Sequence, residues 1–155
     1  MNKKNSDFKD LVNNKIAYHN YEIIDTIEAG IKLVGTEVKS LREGGGILQD
    51  NYVHIHNGEA FLAQAFIAHY KFGNLFNHEE KRERKLLLHK SEIIKLRKQK
   101  EEKGFTLVAL AMYLTKTGYV KVKVGLCRGK KLYDKRADLK KKSQEREMDR
   151  VLKGN

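Results

Sequence analysis

The chain of 155 residues contains no proline, one cysteine and no long apolar run. A lone cysteine, Cys127, cannot build an internal disulfide framework, which excludes the stapled secreted class and fits a reducing cytosol. No stretch approaches the roughly 20 apolar residues that span a bilayer. The opening segment Met1-Asn2-Lys3-Lys4-Asn5-Ser6-Asp7 also lacks the apolar core of a signal peptide. A cytoplasmic protein is therefore expected. Without proline the C-terminal region has no rigid extended spacer and is free to become helical on a partner.

What the chain has is positive charge: 32 Lys and Arg against 20 Asp and Glu, a net +12. Half of that excess lies in the last 28 residues, where eleven basic and five acidic side chains leave +6 from Arg128 to Asn155. A polyanion is the natural partner, with counterion release from phosphates driving the contact. Anionic membrane is disfavoured, because Leu139, Met148, Val151 and Leu152 are too few to form the apolar stripe of an interfacial helix. The tail is patterned beyond its charge. Gly129 supplies a flexible exit, Tyr133 sets one aromatic ring among cations where a base can stack, and Asp138 and Lys142 form a favourable i,i+4 pair.

The body reads as β-rich. Tyr21–Ile27 and Ile31–Val34 predict two strands joined by a turn at Glu28-Ala29-Gly30. Val38 and Leu41 share one face of a short helix over 37–43 that Gly44-Gly45-Gly46 ends. Tyr52–His56 and Glu59–Ala65 alternate around Asn57-Gly58, a strong hairpin signal. Residues 71–83 read as a loop, followed by the apolar run Arg84–Leu88. Ser91 is expected to cap a helix lined by Ile93, Ile94 and Leu96, with Gly104 just past its last turn. Phe105–Leu114 and Tyr119–Leu126 form another hairpin, in which Val120, Val122, Val124 and Leu126 share one face and Lys121 and Lys123 the other. The pattern predicts a mainly β fold: a small antiparallel OB-like β-barrel with two or three short helices and a basic C-terminal tail. The expected division is a flexible N-terminus over 1–13, the barrel over 14–128 and the tail over 129–155, disordered when free.

Signs of catalysis are sparse. His54 and His56 share a strand face, yet no third ligand follows at a recognisable spacing, so they read as polar surface groups and no metal is expected. Arg128 beside Cys127 can lower a thiol pKa, but no positioned base accompanies it and a buried structural thiol is the preferred reading. The triple glycine lacks the lysine and helix of a phosphate-cradling loop. Glu79-Glu80 and Glu101-Glu102 sit in basic runs as solvated charge. No cofactor and no enzymatic activity are expected.

Four segments resemble the SsrA-binding protein (small protein B) family: Glu28-Ala29-Gly30, Gly35-Thr36-Glu37-Val38-Lys39-Ser40-Leu41-Arg42, Arg84-Lys85-Leu86-Leu87-Leu88 and Gly129-Lys130-Lys131-Leu132-Tyr133-Asp134-Lys135-Arg136. They stand in the family's order from about Asn14 to Lys142. The resemblance implies a trans-translation factor that binds the tRNA-like domain of transfer-messenger RNA and brings it to stalled ribosomes. Elongation factor Tu with GTP joins that complex, and a monomer is expected. It also implies a tail that enters the empty messenger channel as a helix. Carried over by position, Glu28, Leu87 and His89 match RNA-gripping positions, with Ala29 and Gly30 in the same motif and Asn14 and Lys15 nearby. His89 stands where asparagine is frequent, and Tyr133 where histidine is. Lys39, Arg42, Arg84, Lys85, Lys121 and Lys123 are the expected phosphate contacts. Gly129, Lys130, Lys131, Tyr133, Asp134, Lys135 and Arg136, with Lys140, Lys141 and Lys142, form the expected ribosome-binding tail. A generic basic OB-type RNA-binding or ribosome-associated protein is the alternative.

Overall fold

The computed structural model describes residues 8–73 and 76–129. The chain runs β1 (Phe8–Asn13), α1 (Lys15–Asn20), β2 (Tyr21–Ile31), α2 (Gly35–Arg42), β3 (Gly46–Ile47), β4 (Tyr52–His56), β5 (Glu59–Ala63), β6 (Phe66–Ile67), β7 (Arg84–Leu87), α3 (Lys90–Lys103), β8 (Thr106–Thr115) and β9 (Val120–Gly129). Seven strands pair antiparallel in the order β1-β8-β9-β2-β7-β5-β4, and β3 pairs with β6 separately. The mainly β, antiparallel expectation holds, and the sheet curls without closing. Its edges, β1 and β4, do not pair with each other.

Side chains seal part of the gap. Where β1 ends, the Ala109 backbone on β8 is left for another partner, and the Asn51 amide supplies one. Ala109 N–H donates to Asn51 Oδ1 at 2.8 Å, and Asn51 Nδ2 donates to the Ala109 carbonyl at 3.1 Å. Asn14 Nδ2 donates to the same carbonyl at 3.1 Å. Both asparagines are buried, so these bonds satisfy groups that water cannot reach.

The core collects the inward faces of the strands, with Leu62, Leu86, Leu107, Val122 and Val124 nearly solvent-free and Leu41 and Leu96 docked from α2 and α3. On the opposite side of β8 and β9, α1 covers Val108, Leu110 and Cys127 with Ala17. Cys127 is the buried thiol expected, and burial pushes its pKa up to about 11.

The Asn57-Gly58 turn forms with both residues in left-handed backbone (φ 52° and 75°), the pair that a two-residue hairpin needs. Gly104 closes α3 in the same backbone region, its N–H donating to the Lys100 carbonyl. The valine face of β9 is buried as expected.

Four expectations are corrected. Glu28-Ala29-Gly30 does not turn: β2 is one strand from Tyr21 to Ile31, paired along β9 and reaching β7 at Gly30. A bulge between Ile23 and Asp25 shifts the alternation on which a strand is recognised in sequence. Residues 8–13, expected within a flexible N-terminus, form β1 on the edge of β8, with a bulge between Asp10 and Val12. Helix α1 was not expected; it buries only Ala17, too little for a periodic signal. His89, not Ser91, is the N-cap of α3, and its N–H donates to Glu92 Oε1 at 2.9 Å.

A buried ion cluster ties α2 to β7. Glu37 and Arg84 are both 0% exposed. Glu37 Oε2 accepts from Arg84 Nε at 2.6 Å and from Arg82 Nε at 3.1 Å, while Oε1 accepts from Arg82 Nη2 at 2.7 Å and Val34 N–H at 2.8 Å. The rest of the Arg84 guanidinium donates to the carbonyls of Ala65 at 2.7 Å and Glu80 at 3.1 Å. Burial alone would raise the Glu37 pKa, but the hydrogen bonds from Arg82, Val34 and Arg84 outweigh it and hold the carboxyl below its ordinary value of 4.5.

Glu37→Gln strands a buried guanidinium and lowers unfolding free energy by about 3–5 kcal/mol, read as a fall in the urea midpoint. A carboxyl whose folded pKa is depressed contributes fully above its unfolded pKa and loses that contribution as pH falls through the folded value. The unfolding free energy of the wild-type chain therefore drops as pH falls below about 4.5, and Glu37→Gln lacks that part of the slope.

Candidate nucleic-acid interface

The outer face of the sheet carries a cleft of about 590 Å³, roofed at one side by the start of α3. Its floor follows from strand register. Gly30 on β2 lies opposite Leu87 on β7 and opposite Lys121 on β9, and Lys121 lies opposite Tyr113 on β8. Gly30 is the low point. A Cβ there would meet the Leu87 Cβ at 3.2 Å, so the close packing of these two strands leaves little room for a side chain. Leu87 is half-exposed beside it.

Charged pairs line the walls. Glu28, two residues before Gly30 on the same face, accepts a hydrogen bond from the Tyr113 hydroxyl and lies 3.4 Å from Lys121 Nζ. Burial and the Glu28 carboxylate push the Tyr113 phenol well above its ordinary pKa, so it remains a donor at any physiological pH. Across the cleft, Lys85 Nζ donates to Glu59 Oε2 at 2.7 Å. His89 and Lys90 add an imidazole ring and an ammonium to the lining. The arrangement presents carboxylate acceptors and ammonium donors over an apolar floor, suited to a polar planar ligand with phosphates nearby.

A second basic group sits on α2. Lys39 and Arg42 line a shallow pocket with Lys9 and Tyr70, and Lys39 Nζ stands 5.7 Å from the Tyr70 ring centroid. Lys123 is exposed opposite Glu28, and Lys15 is exposed at the start of α1.

Thus Glu28, Gly30, Lys85, Leu87, His89 and Lys121 are brought together in one cleft, whereas Lys39 and Arg42 form a separate group. Three expected contacts are out of a partner's reach. Arg84 is consumed by Glu37 and backbone carbonyls. Asn14 caps α1 by accepting from Ala17 N–H at 3.1 Å while its amide seals β8. Ala29 points into the core at 1% exposure, the face opposite Glu28 and Gly30. Sequence reading missed Tyr113, Glu59 and Lys90. The parity of the β8–β9 hairpin places Tyr113 on the lysine face, and that was the available signal.

The residues of the enzymatic alternative have other occupations. His54 Nε2 meets Glu83 Oε2 at 2.5 Å and its ring stacks on Phe61, while Cys127 lies inside the fold as a protonated thiol. Among the described residues no three His, Cys, Asp or Glu side chains are grouped to hold a metal, and no helix is long and apolar enough to cross a membrane. Gly129 ends β9, buried opposite Tyr21. Lys130, Lys131, Tyr133, Asp134, Lys135, Arg136, Lys140, Lys141 and Lys142 lie outside the described residues.

Comparison with known proteins gives a consistent answer. A family model described as SmpB protein matches residues 11–154. The SsrA-binding protein of Chlamydia caviae is 52% identical over 145 residues, covering 94% of this chain and 96% of that protein. The SsrA-binding protein of Enterococcus faecalis is 52% identical over 145 residues, covering 94% of each. A solved chain from the work "tmRNA-SmpB: a journey to the center of the bacterial ribosome" superposes with a TM-score of 0.66 at 47% identity, covering 77% of this chain and 83% of that one. Identity of this order along nearly the whole length, together with a shared fold, places the chain in the SsrA-binding protein (SmpB) family.

Proposed function

We propose that this protein is the RNA-binding factor of trans-translation: it binds the tRNA-like domain of transfer-messenger RNA and delivers it to stalled ribosomes for rescue and peptide tagging. The observation that carries the reading is full-length similarity to SsrA-binding proteins, joined to a structural likeness to a chain from a tmRNA-SmpB ribosome study. The cleft supports it physically. A folded RNA is recognised by shape and by unstacked bases, and a rigid sheet with a few directed polar groups over an apolar floor meets that need.

In this reading the outer-face cleft grips the RNA, with Lys85, Lys90 and Lys123 near phosphates, and residues after Gly129 serve the ribosome. Elongation factor Tu with GTP joins the delivered complex. The protein works in the cytoplasm and catalyses nothing itself; the transferred groups belong to the charged RNA and the ribosome.

Binding to the tRNA-like domain, to an elongator tRNA and to a single-stranded oligonucleotide is measured across a salt series. Tight binding that prefers the first RNA and persists with salt is expected; weak, equal binding that collapses for all three together leaves only a generic basic RNA-binding protein. Lys123→Ala weakens binding evenly across RNA sequences and reduces the salt slope by about 1, as loss of one phosphate contact requires. A chain ending at Asp134 keeps its affinity for the tRNA-like domain and loses peptide tagging on stalled ribosomes in a reconstituted translation assay. Equal loss of both would mean that the tail also holds the RNA.

A further inference from the structure

We propose that the cleft selects a guanine, with Glu28 and Lys121 forming the edge that reads it. The inference deepens the RNA-binding function above and rests on it. Its basis is the order of donors and acceptors along one wall. The Glu28 carboxylate has two oxygens with two lone pairs each, and Tyr113 takes one of them. Both oxygens keep acceptor capacity, and the Lys121 ammonium stands 3.4 Å from Oε1. The wall therefore presents acceptor, acceptor and donor side by side.

Guanine alone among the four RNA bases complements that order on its Watson–Crick edge. It offers the N2 amino group and N1–H as adjacent donors, followed by the O6 acceptor. Adenine places the N1 acceptor beside one amino donor, cytosine has two acceptors beside one donor, and uracil has a single donor between two acceptors. Each of those would set a lone pair against the carboxylate, and where the bound base excludes water a mismatch of that kind costs more than a missing bond.

Position and geometry favour this wall over the facing one. The Tyr113 hydroxyl holds one oxygen of the Glu28 carboxylate, which pre-organises it. The Glu59–Lys85 pair is closed at 2.7 Å, so that ammonium is already engaged, whereas the looser 3.4 Å contact lets Lys121 turn to O6. Leu87, whose side chain packs over Gly30, offers an apolar surface in the same cleft on which a base ring can rest with its edge toward Glu28.

The test titrates the full-length 15N-labelled protein with the pentanucleotides UUGUU, UUIUU and UUAUU, following the amide signals of Gly30, Tyr113 and Lys121. UUGUU is expected to bind about tenfold more tightly than UUAUU, as one or more charge-assisted hydrogen bonds imply, with UUIUU between them because inosine lacks only the N2 amino group. In Glu28→Gln the guanine preference falls below about twofold while the remaining amide signals stay in place, since a carboxamide offers one acceptor oxygen. Lys121→Met weakens UUGUU and UUIUU alike, because both retain O6, and weakens UUAUU less, by the sequence-independent loss of one cation. Equal affinity for the three, a preference that survives in Glu28→Gln, or no movement of the cleft signals overturns the proposal. Failure of the trans-translation reading would appear separately, as loss of preference for the tRNA-like domain in the salt series while the pentanucleotides still rank by guanine.

Discussion

The carboxylate of Glu37 is the point on which the arrangement of the sheet turns. It belongs to the first turn of α2, yet both its oxygens are spent on guanidinium groups from the approach to β7 and on Val34 N–H. Arg84 then carries the connection onward to the carbonyls of Ala65 and Glu80. Three chain segments, around residues 34–37, 65 and 80–84, converge on two fully buried charges. Such a pair contributes modestly relative to an apolar replacement, but breaking either half is costly, so the register of β7 and the placement of α2 are fixed together. Leu87 and Lys85 project into the cleft because Arg84 and Leu86 are fixed on the inner side.

That alternation also explains what the sequence did and did not disclose. In Arg84-Lys85-Leu86-Leu87, period two puts Arg84 with buried Leu86 and Lys85 with exposed Leu87. Charge suggested that both basic residues face outward, and only the buried partner Glu37, 47 positions away, reverses that for Arg84. The same parity sets Ala29 inward between outward Glu28 and Gly30. Val120 to Leu126 was legible because β9 runs centrally over the core with one wholly apolar face. The N-terminal elements were not: β1 is a short edge strand broken by a bulge, and α1 depends on one alanine and an asparagine cap. The break imagined at Glu28-Ala29-Gly30 came from treating glycine as a turn signal where it serves close strand packing.

The cleft was half legible. Family resemblance pointed to Glu28, Leu87 and His89, but their convergence is a product of sheet order, which brings β2, β7 and β9 together from distant parts of the chain. Tyr113 contributes through the next strand over. A protein with net charge +12 has thus placed Glu28 and Glu59 in a concave surface, each beside a lysine, so that these walls are locally balanced while the chain as a whole is positive. Under the proposed function, long-range attraction to RNA comes from the surroundings and discrimination from the balanced interior.

Strand β9 holds Lys121 near one end and Gly129 at the other, about 27 Å apart at the usual rise of a strand. It lies between β8 and β2 and is hydrogen-bonded to both along most of its length. A pull applied to the chain beyond Gly129 is therefore directed along a strand clamped on two sides. The load falls on many backbone hydrogen bonds in shear at once, instead of opening them one by one as at a sheet edge. The cleft and the far end of β9 at Gly129 are in this sense one mechanical element.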